Sequence, residues 1–481
     1  MKKQAFALIF ANGINFLVNF AMNPFLARKL SYEDNATFGQ INLINGYATI
    51  LFGLGMASVI NLLLAEYKGK ESSLLSTAFW IQVLSGLLCI LLLFYFHTPI
   101  SVLFKNQQLG YFLVQNLPST FLIILTNLVT YYYIYFNKAK QLSILTVTLN
   151  VLKIALVYYA VNVLKSLYYV IIFINILNFI QLGVHFYLLR KHLRPFRKFD
   201  FKNIQYVLKL SYPYLGMSII GYSILFADGI IVSNLLGTKE FAIYRNGAIE
   251  IPFIATLYSS ITAVALPQLV LLLKENRIVE LMSLKRKISN TLAAFIYPVV
   301  FFCIMNGNKF IELYLGDKYI QSGVVFSIYN VAVLLRINSY SDILTISKKP
   351  MKIIIPNFSA FVIGLITTYL LVILIGINGA AISFIISIML LFLLLILNSC
   401  KELGISFFEY FDFIKIAKIS LVCISASVLS TLFISVSIIS FAFVGIVYII
   451  FVYLILFKFN LADIDLLPLP AQNILRKYIL K

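Results

Sequence analysis

Asn12, Asn15, Asn19 and Asn23 recur at intervals of three, four and four residues within the otherwise apolar stretch NGINFLVNFAMNPF. On a helix that spacing gathers the four amides into one polar stripe. Amides both donate and accept hydrogen bonds, so within lipid such a stripe needs water, a ligand or a neighbouring helix. Later apolar runs repeat the device with Asn42, Asn45 and Thr49, with Thr146, Asn150 and Lys153, and with Asn178, Gln181 and His185. A shared hydrated cavity explains the set most simply. For any single amide the competing reading is a helix–helix hydrogen bond, which contributes about 0.6 kcal/mol in membrane proteins.

Charged residues sharpen the pattern. Lys153, Asp228, Arg245, Glu250, Arg336 and Asp342 lie within apolar spans, where each charge costs about 2.5 to 3.5 kcal/mol on insertion scales and marks function by default. Lys153 and Arg336 fall near mid-span, Asp228 and Arg245 toward outer ends, and Asp342 toward an inner end. At Arg245 and Asp342, interfacial anchoring competes with function. Asn246 and Glu250 are expected one turn apart on one helix face, where they could bind a cation or proton; an ion pair with a neighbouring helix is the alternative. Asp228, Glu250 and Asp342 are the candidate ion-coupling residues.

The elements that carry these groups follow from composition. The chain has 481 residues, 61% hydrophobic and 12% charged, with a mean hydropathy of +0.95. Such values exclude a soluble domain and predict an all-α integral membrane protein. Apolar runs of about 20 residues recur about fourteen times, each enough to cross a hydrocarbon core as helix. The eighth is expected over Phe241 to Leu271, the ninth over Ile288 to Met305 and the tenth over Val324 to Ile346. The first run, interrupted by amides and followed by no small-residue cleavage site, reads as a helix rather than a signal peptide. Most of the 38 Lys and Arg fall in alternate connections, including RKHLRPFRKFDFK, KENRIVELMSLKRK and SKKPMK. The positive-inside rule then places both termini in the cytoplasm and accounts for the net charge of +20 without nucleic acid.

A weak internal repeat appears between ARKLSYEDNATFGQINLING and VSNLLGTKEFAIYRNGAIE. It predicts an N-lobe of six helices over 1–190, a basic cytoplasmic linker over 191–209 and a C-lobe of six helices over 210–400. Two peripheral helices over 401–457 and a cytoplasmic tail over 458–481 complete the expected organisation. Paired six-helix repeats are a transporter architecture. The four cysteines show no CxxC spacing and the three histidines are scattered, so no metal site or cofactor is expected. No Walker A sequence occurs, which argues against ATP as the direct energy source. The ADIDLL segment, with Asp463 and Asp465, is a weak metal-enzyme pattern; a non-enzyme is expected. Tyrosines in TYYYIYFNKAKQ, Tyr131 to Tyr135, read as an interfacial belt.

The segments FLARKLSYEDNATFGQINL, LLLAEYKGKES, YFNKAKQLSIL and ADGIIVSNLLGTKEFAIYRNGAIEIP resemble the polysaccharide-transport branch of the multidrug/oligosaccharidyl-lipid/polysaccharide (MOP) exporter superfamily. More specifically, they look like Wzx-type O-antigen or capsule repeat-unit flippases. The resemblance spans helices one to twelve or more. It implies two six-helix lobes in a V, alternating access in a bacterial cytoplasmic (inner) membrane, and ion-gradient-coupled export of an undecaprenyl-pyrophosphate-linked oligosaccharide to the periplasmic leaflet. The coupling ion would be a proton or sodium. Asp228 matches the family's acidic position on the seventh helix, whereas the first helix lacks the acidic residue of many cation-coupled drug exporters and the arginine cluster of lipid II flippases. On this reading Lys153, Arg245 and Arg336 would neutralise the pyrophosphate, and Asn12, Asn15, Asn19, Asn42 and Asn150 would meet sugar hydroxyls. Membrane lipid and polysaccharide polymerase and chain-length machinery would be the partners, in lipopolysaccharide or capsule assembly. A cation-coupled drug antiporter and a membrane polysaccharide polymerase are the alternatives.

Overall fold

The computed structural model describes residues 2–57, 59–60, 64, 71–190, 201–252, 254–435 and 437–462. Most of the basic linker, the LLLAEYKGKES turn and the ADIDLL tail lie outside the described residues, as does the side chain of Asn12. All regular structure among the described residues is helical. Contacts divide the chain into two compact units, Met1–Ala242 and Ile243–Lys481.

The first unit contains α1 (Lys2–Lys29), α2 (Tyr32–Gly53), α3 (Glu71–Leu103), α4 (Leu109–Tyr135), α5 (Ala139–Asn162), α6 (Leu167–Leu189) and α7 (Phe201–Leu236). It ends within α8 (Thr238–Gly247). α1 lies along α5, while α4 packs against α2, α3 and α6. The SYED turn starts α2 because Ser31 Oγ accepts from Asp34 N at 2.9 Å, with Glu33 and Asp34 at the positive end of the helix dipole. α2 stops where Leu54 and Gly55 turn left-handed, at φ 53° and 68°. A Cβ on Gly55 would meet Ser211 O at 2.6 Å, so glycine allows α7 to approach. Gln40 Nε2 donates to Ser233 Oγ at 2.8 Å and Asn234 Nδ2 to Leu103 O at 2.8 Å, fastening α7 to α2 and α3. The contact division therefore counts the seventh span with the first unit, whereas the repeat reading starts the second lobe with it.

The second unit holds the rest of α8, then α9 (Ile254–Lys274), α10 (Ile278–Met305), α11 (Gly307–Leu315), α12 (Ser322–Val331) and α13 (Asp342–Ile346). α14 (Met351–Ile375), α15 (Ile377–Leu403), α16 (Phe413–Thr431) and α17 (Ile438–Lys458) follow. Two expected helices are broken. The eighth span unwinds after Gly247, just before Pro252, and resumes at Ile254. The tenth passes from α12 through a 3₁₀ turn at Ala332–Leu335 into non-helical chain before α13. The ninth begins earlier than expected, because KENRIVELMSLKRK forms the end of α9 and the first turns of α10.

Eleven helices of the described residues are long and apolar enough to cross a membrane. Of the fourteen expected spans, α2 and the broken tenth fall short of that measure, and α1 lies partly outside the described side chains. Large apolar side chains point outward along these helices, as at Tyr95, Phe179, Val264 and Ile439. Long helices that expose apolar side chains need lipid around them, and the protein is a multi-pass membrane protein. α16 and α17 carry such faces, yet Tyr448 of α17 is buried and donates to Pro298 O of α10 at 2.9 Å. The tyrosine belt is corrected in part. Tyr132 and Tyr133 are fully buried in the first unit's core, turned inward by packing against α3 and by a 2.9 Å hydrogen bond between Tyr133 and His185.

Candidate substrate and coupling sites

In the first unit, three of the amide stripes converge. A cavity of about 240 Å³ is lined by Asn15 of α1, Thr146, Asn150 and Lys153 of α5, and Asn178 and Gln181 of α6. The spacing on α5 aims all three polar groups the same way. Asn15 Oδ1 accepts from Asn19 Nδ2 and from Asn150 Nδ2, each at 3.2 Å, so the amides hold one another in register. Lys153 Nζ reaches Asn19 Oδ1 at 3.5 Å and, among the described residues, makes no ion pair. The result, among the described residues, is a polar chamber with one ammonium and abundant donors and acceptors.

Other members of the stripes do different work. Asn42 is exposed on α2 and does not line this cavity. Asn45 is buried, its Oδ1 accepting from Asn116 Nδ2 at 3.0 Å and Thr120 Oγ1 at 2.7 Å, which is the helix–helix reading realised. Asn178 combines both roles, since Nδ2 also donates to Ser119 Oγ at 2.9 Å. Asp228 is half-buried on α7, with Oδ1 accepting from Gly229 N at 2.6 Å. Arg245 is half-buried in the last turn of α8. Neither lines the amide cavity.

In the second unit the candidate charges lie at the two helix breaks. Glu250 belongs to the unwound segment after α8, so the helix face it was expected to share with Asn246 does not exist. Arg336 follows the 3₁₀ turn instead of occupying mid-helix. The two form a bidentate pair, Nη1 to Oε2 at 2.7 Å and Nη2 to Oε1, with side chains 24% and 29% exposed. Asn330 binds the same unwound backbone, donating to Ile249 O at 2.9 Å and accepting from Ile251 N at 3.1 Å. This answers the requirement that irregular backbone at membrane depth be satisfied by protein.

Asp342 is not an interfacial anchor. It is 7% exposed and accepts from Lys285 Nζ at 2.7 and 2.8 Å. Lys285 is fully buried on α10 and also donates to Ser339 O at 2.9 Å. Asp342 borders a cavity of about 160 Å³ with Ser259, Thr262, Asn338 and Ser339. Sequence reasoning missed Lys285 because KENRIVELMSLKRK reads as a loop. The available signal was periodicity: Leu281, Lys285, Ile288 and Leu292 fall on one stripe, and all four are buried.

The chain resembles solved transporters across nearly its whole length. It superposes on "Lipid II flippase MurJ, inward closed conformation" with a TM-score of 0.75 at 16% identity, covering 95% of this chain and 99% of that one. An inward-facing multidrug resistance MATE family transporter of the MOP superfamily gives 0.59 at 15% identity, covering 83% and 98%. A MOP superfamily transporter from Pyrococcus furiosus gives 0.57 at 15% identity, covering 83% and 94%. At these identities the likeness establishes a shared fold. No curated protein sequence matches the chain. Residues 25–323, more than half of the sequence, match the family described as "Polysaccharide biosynthesis protein", and the chain belongs to that family, on the MOP transporter fold.

Proposed function

We propose that the protein is a flippase that carries a polyprenyl-pyrophosphate-linked oligosaccharide from the cytoplasmic to the periplasmic leaflet of a bacterial inner membrane by alternating access, without ATP. The observation that carries this reading is the amide cavity with Lys153. A saccharide needs many adaptable donors and acceptors, and a phosphate in a low-dielectric setting needs a cation that is not already neutralised. The cavity offers both, whereas a purely apolar drug pocket would need neither. Membership of a polysaccharide biosynthesis family and the fold shared with a lipid II flippase support the same substrate class.

Coupling to a proton or sodium gradient would act through Asp228, Glu250 or Asp342. Glu250 and Asp342 already have cationic partners, Arg336 and Lys285, that a transported cation would have to replace. The test is export of surface polysaccharide in a host deleted for its own flippase, complemented with this chain and its Lys153 variants. Accumulation of lipid-linked repeat units on the inner leaflet in the Lys153→Ala strain supports the proposal. Normal export by that variant overturns the role of Lys153.

A further inference from the structure

We propose that a third polar cavity, at the start of α10, seats the headgroup of an anionic phospholipid that bears free hydroxyls, of the phosphatidylglycerol class. The cavity measures about 420 Å³ and is bordered by Arg286, Lys287 and Asn290 of α10, by Glu409 in the α15–α16 connection, and by Lys415 of α16. Among the described residues on its border, Arg286, Lys287 and Lys415 stand with the single carboxylate of Glu409, and Asp412 lies behind Asn290, a balance that still favours an anion. Arg286 Nε donates to Glu409 O at 2.8 Å, which holds the guanidinium at the rim, and Glu409 Oε1 accepts from Ser406 Oγ at 3.1 Å.

Asn290 narrows the ligand. It is 9% exposed, its Nδ2 points to Asp412 Oδ2 at 3.5 Å, and its Oδ1 is a buried acceptor with no hydrogen-bond partner. A phosphate diester offers no proton to this atom. Asn290 borders the cavity while its Oδ1 is sealed from it, so a headgroup hydroxyl meets that acceptor once the amide turns into the cavity. A headgroup carrying hydroxyls beside its phosphate then serves the cations and the acceptor together. Val279, Phe408 and Ile414, 84%, 79% and 70% exposed, bring apolar surface to the same region, where acyl chains would lie. The cavity sits where α10 and α16, both long enough to cross a membrane, begin. That is the depth of a lipid headgroup. The proposal is independent of the transported substrate.

The test is native mass spectrometry of the purified full-length chain in neutral detergent, titrated with dioleoyl-phosphatidylglycerol, dioleoyl-phosphatidylmethanol and dioleoyl-phosphatidylcholine. Phosphatidylglycerol should be retained best and phosphatidylcholine least. Lys415→Gln should weaken both anionic lipids by about tenfold, with Lys415→Arg restoring them. Asn290→Ala should weaken phosphatidylglycerol by roughly three- to tenfold and leave phosphatidylmethanol, an anionic diester without hydroxyls, unchanged. Equal retention of phosphatidylcholine, or an equal loss of both anionic lipids in Asn290→Ala, would overturn the assignment. So would displacement of the lipid by sn-glycerol 3-phosphate at equal concentration, which would point to a soluble anion. If Lys415→Gln does not elute as folded protein, the two lipids compared on Asn290→Ala decide the matter.

Discussion

Lys153 and Lys285 are both lysines in membrane-crossing helices, and their surroundings assign them opposite roles. Lys153 borders a cavity and, among the described residues, reaches an amide oxygen at 3.5 Å and no carboxylate, which on the proposed function leaves its charge to a ligand. Lys153→Ala should abolish surface polysaccharide at normal protein level, and Lys153→Arg should retain part of it; immunoblotting beside a surface-glycan stain reads both. Lys285 is sealed against Asp342 with no exposed area. Removing one member of such a pair strands a buried charge, at about 3 to 5 kcal/mol, whereas replacing both with apolar groups of similar size is often neutral. Lys285→Met should therefore deplete the protein from the membrane, and the double variant Lys285→Met/Asp342→Leu should restore its abundance. Export by the restored protein would make the pair structural, and abundant but inactive protein would assign Asp342 to coupling. Single-variant protein at normal abundance would contradict the buried pair.

The breaks in the eighth and tenth spans are the elements on which the second unit's charges depend. Among the described residues, the Asn330 side chain satisfies both Ile249 O and Ile251 N of the unwound segment. Asn330→Leu leaves two backbone groups unpaired at about 1 to 3 kcal/mol each. The variant should unfold at lower temperature in detergent, measured by fluorescence-detected size exclusion after heating, with Arg336 and Glu250 intact. An unchanged melting profile would show that the segment does not depend on Asn330. Local signals made much of this legible. Pro252 marks the first break and the polar run INSYSD the second, although averaging hydropathy over a whole span smooths both away. The amide stripes were legible because helical period is a local property. Their division was not: Asn150 faces a cavity while Asn45 is consumed by Asn116 and Thr120, and that depends on which helix lies opposite. The Arg336–Glu250 pair joins residues 86 apart, beyond any spacing argument.

At the scale of the whole molecule, the broken tenth span decides the topology of everything that follows it. The positive-inside rule puts the basic linker near Lys198 and the Lys348–Lys349–Lys352 cluster on the cytoplasmic side, and the segment containing α11, near Lys318, on the other. That holds only if the chain crosses between Lys318 and Lys349, through α12, the 3₁₀ turn and α13. None of these alone is long enough to cross a hydrocarbon core of about 30 Å. Interrupted helices do cross where protein or a cavity satisfies the freed backbone. Here Tyr340 OH donates to Leu335 O, and Lys285 Nζ donates to Ser339 O. Reporter fusions after Lys198, Lys349 and Lys481 should therefore read cytoplasm, and one after Lys318 should read periplasm. The four helices α14 to α17 return the chain to the side on which they began, so Lys349 and Lys481 must agree. Lys318 and Lys349 on the same side would show that the tenth span is re-entrant, and would put the C-terminus opposite the linker at Lys198.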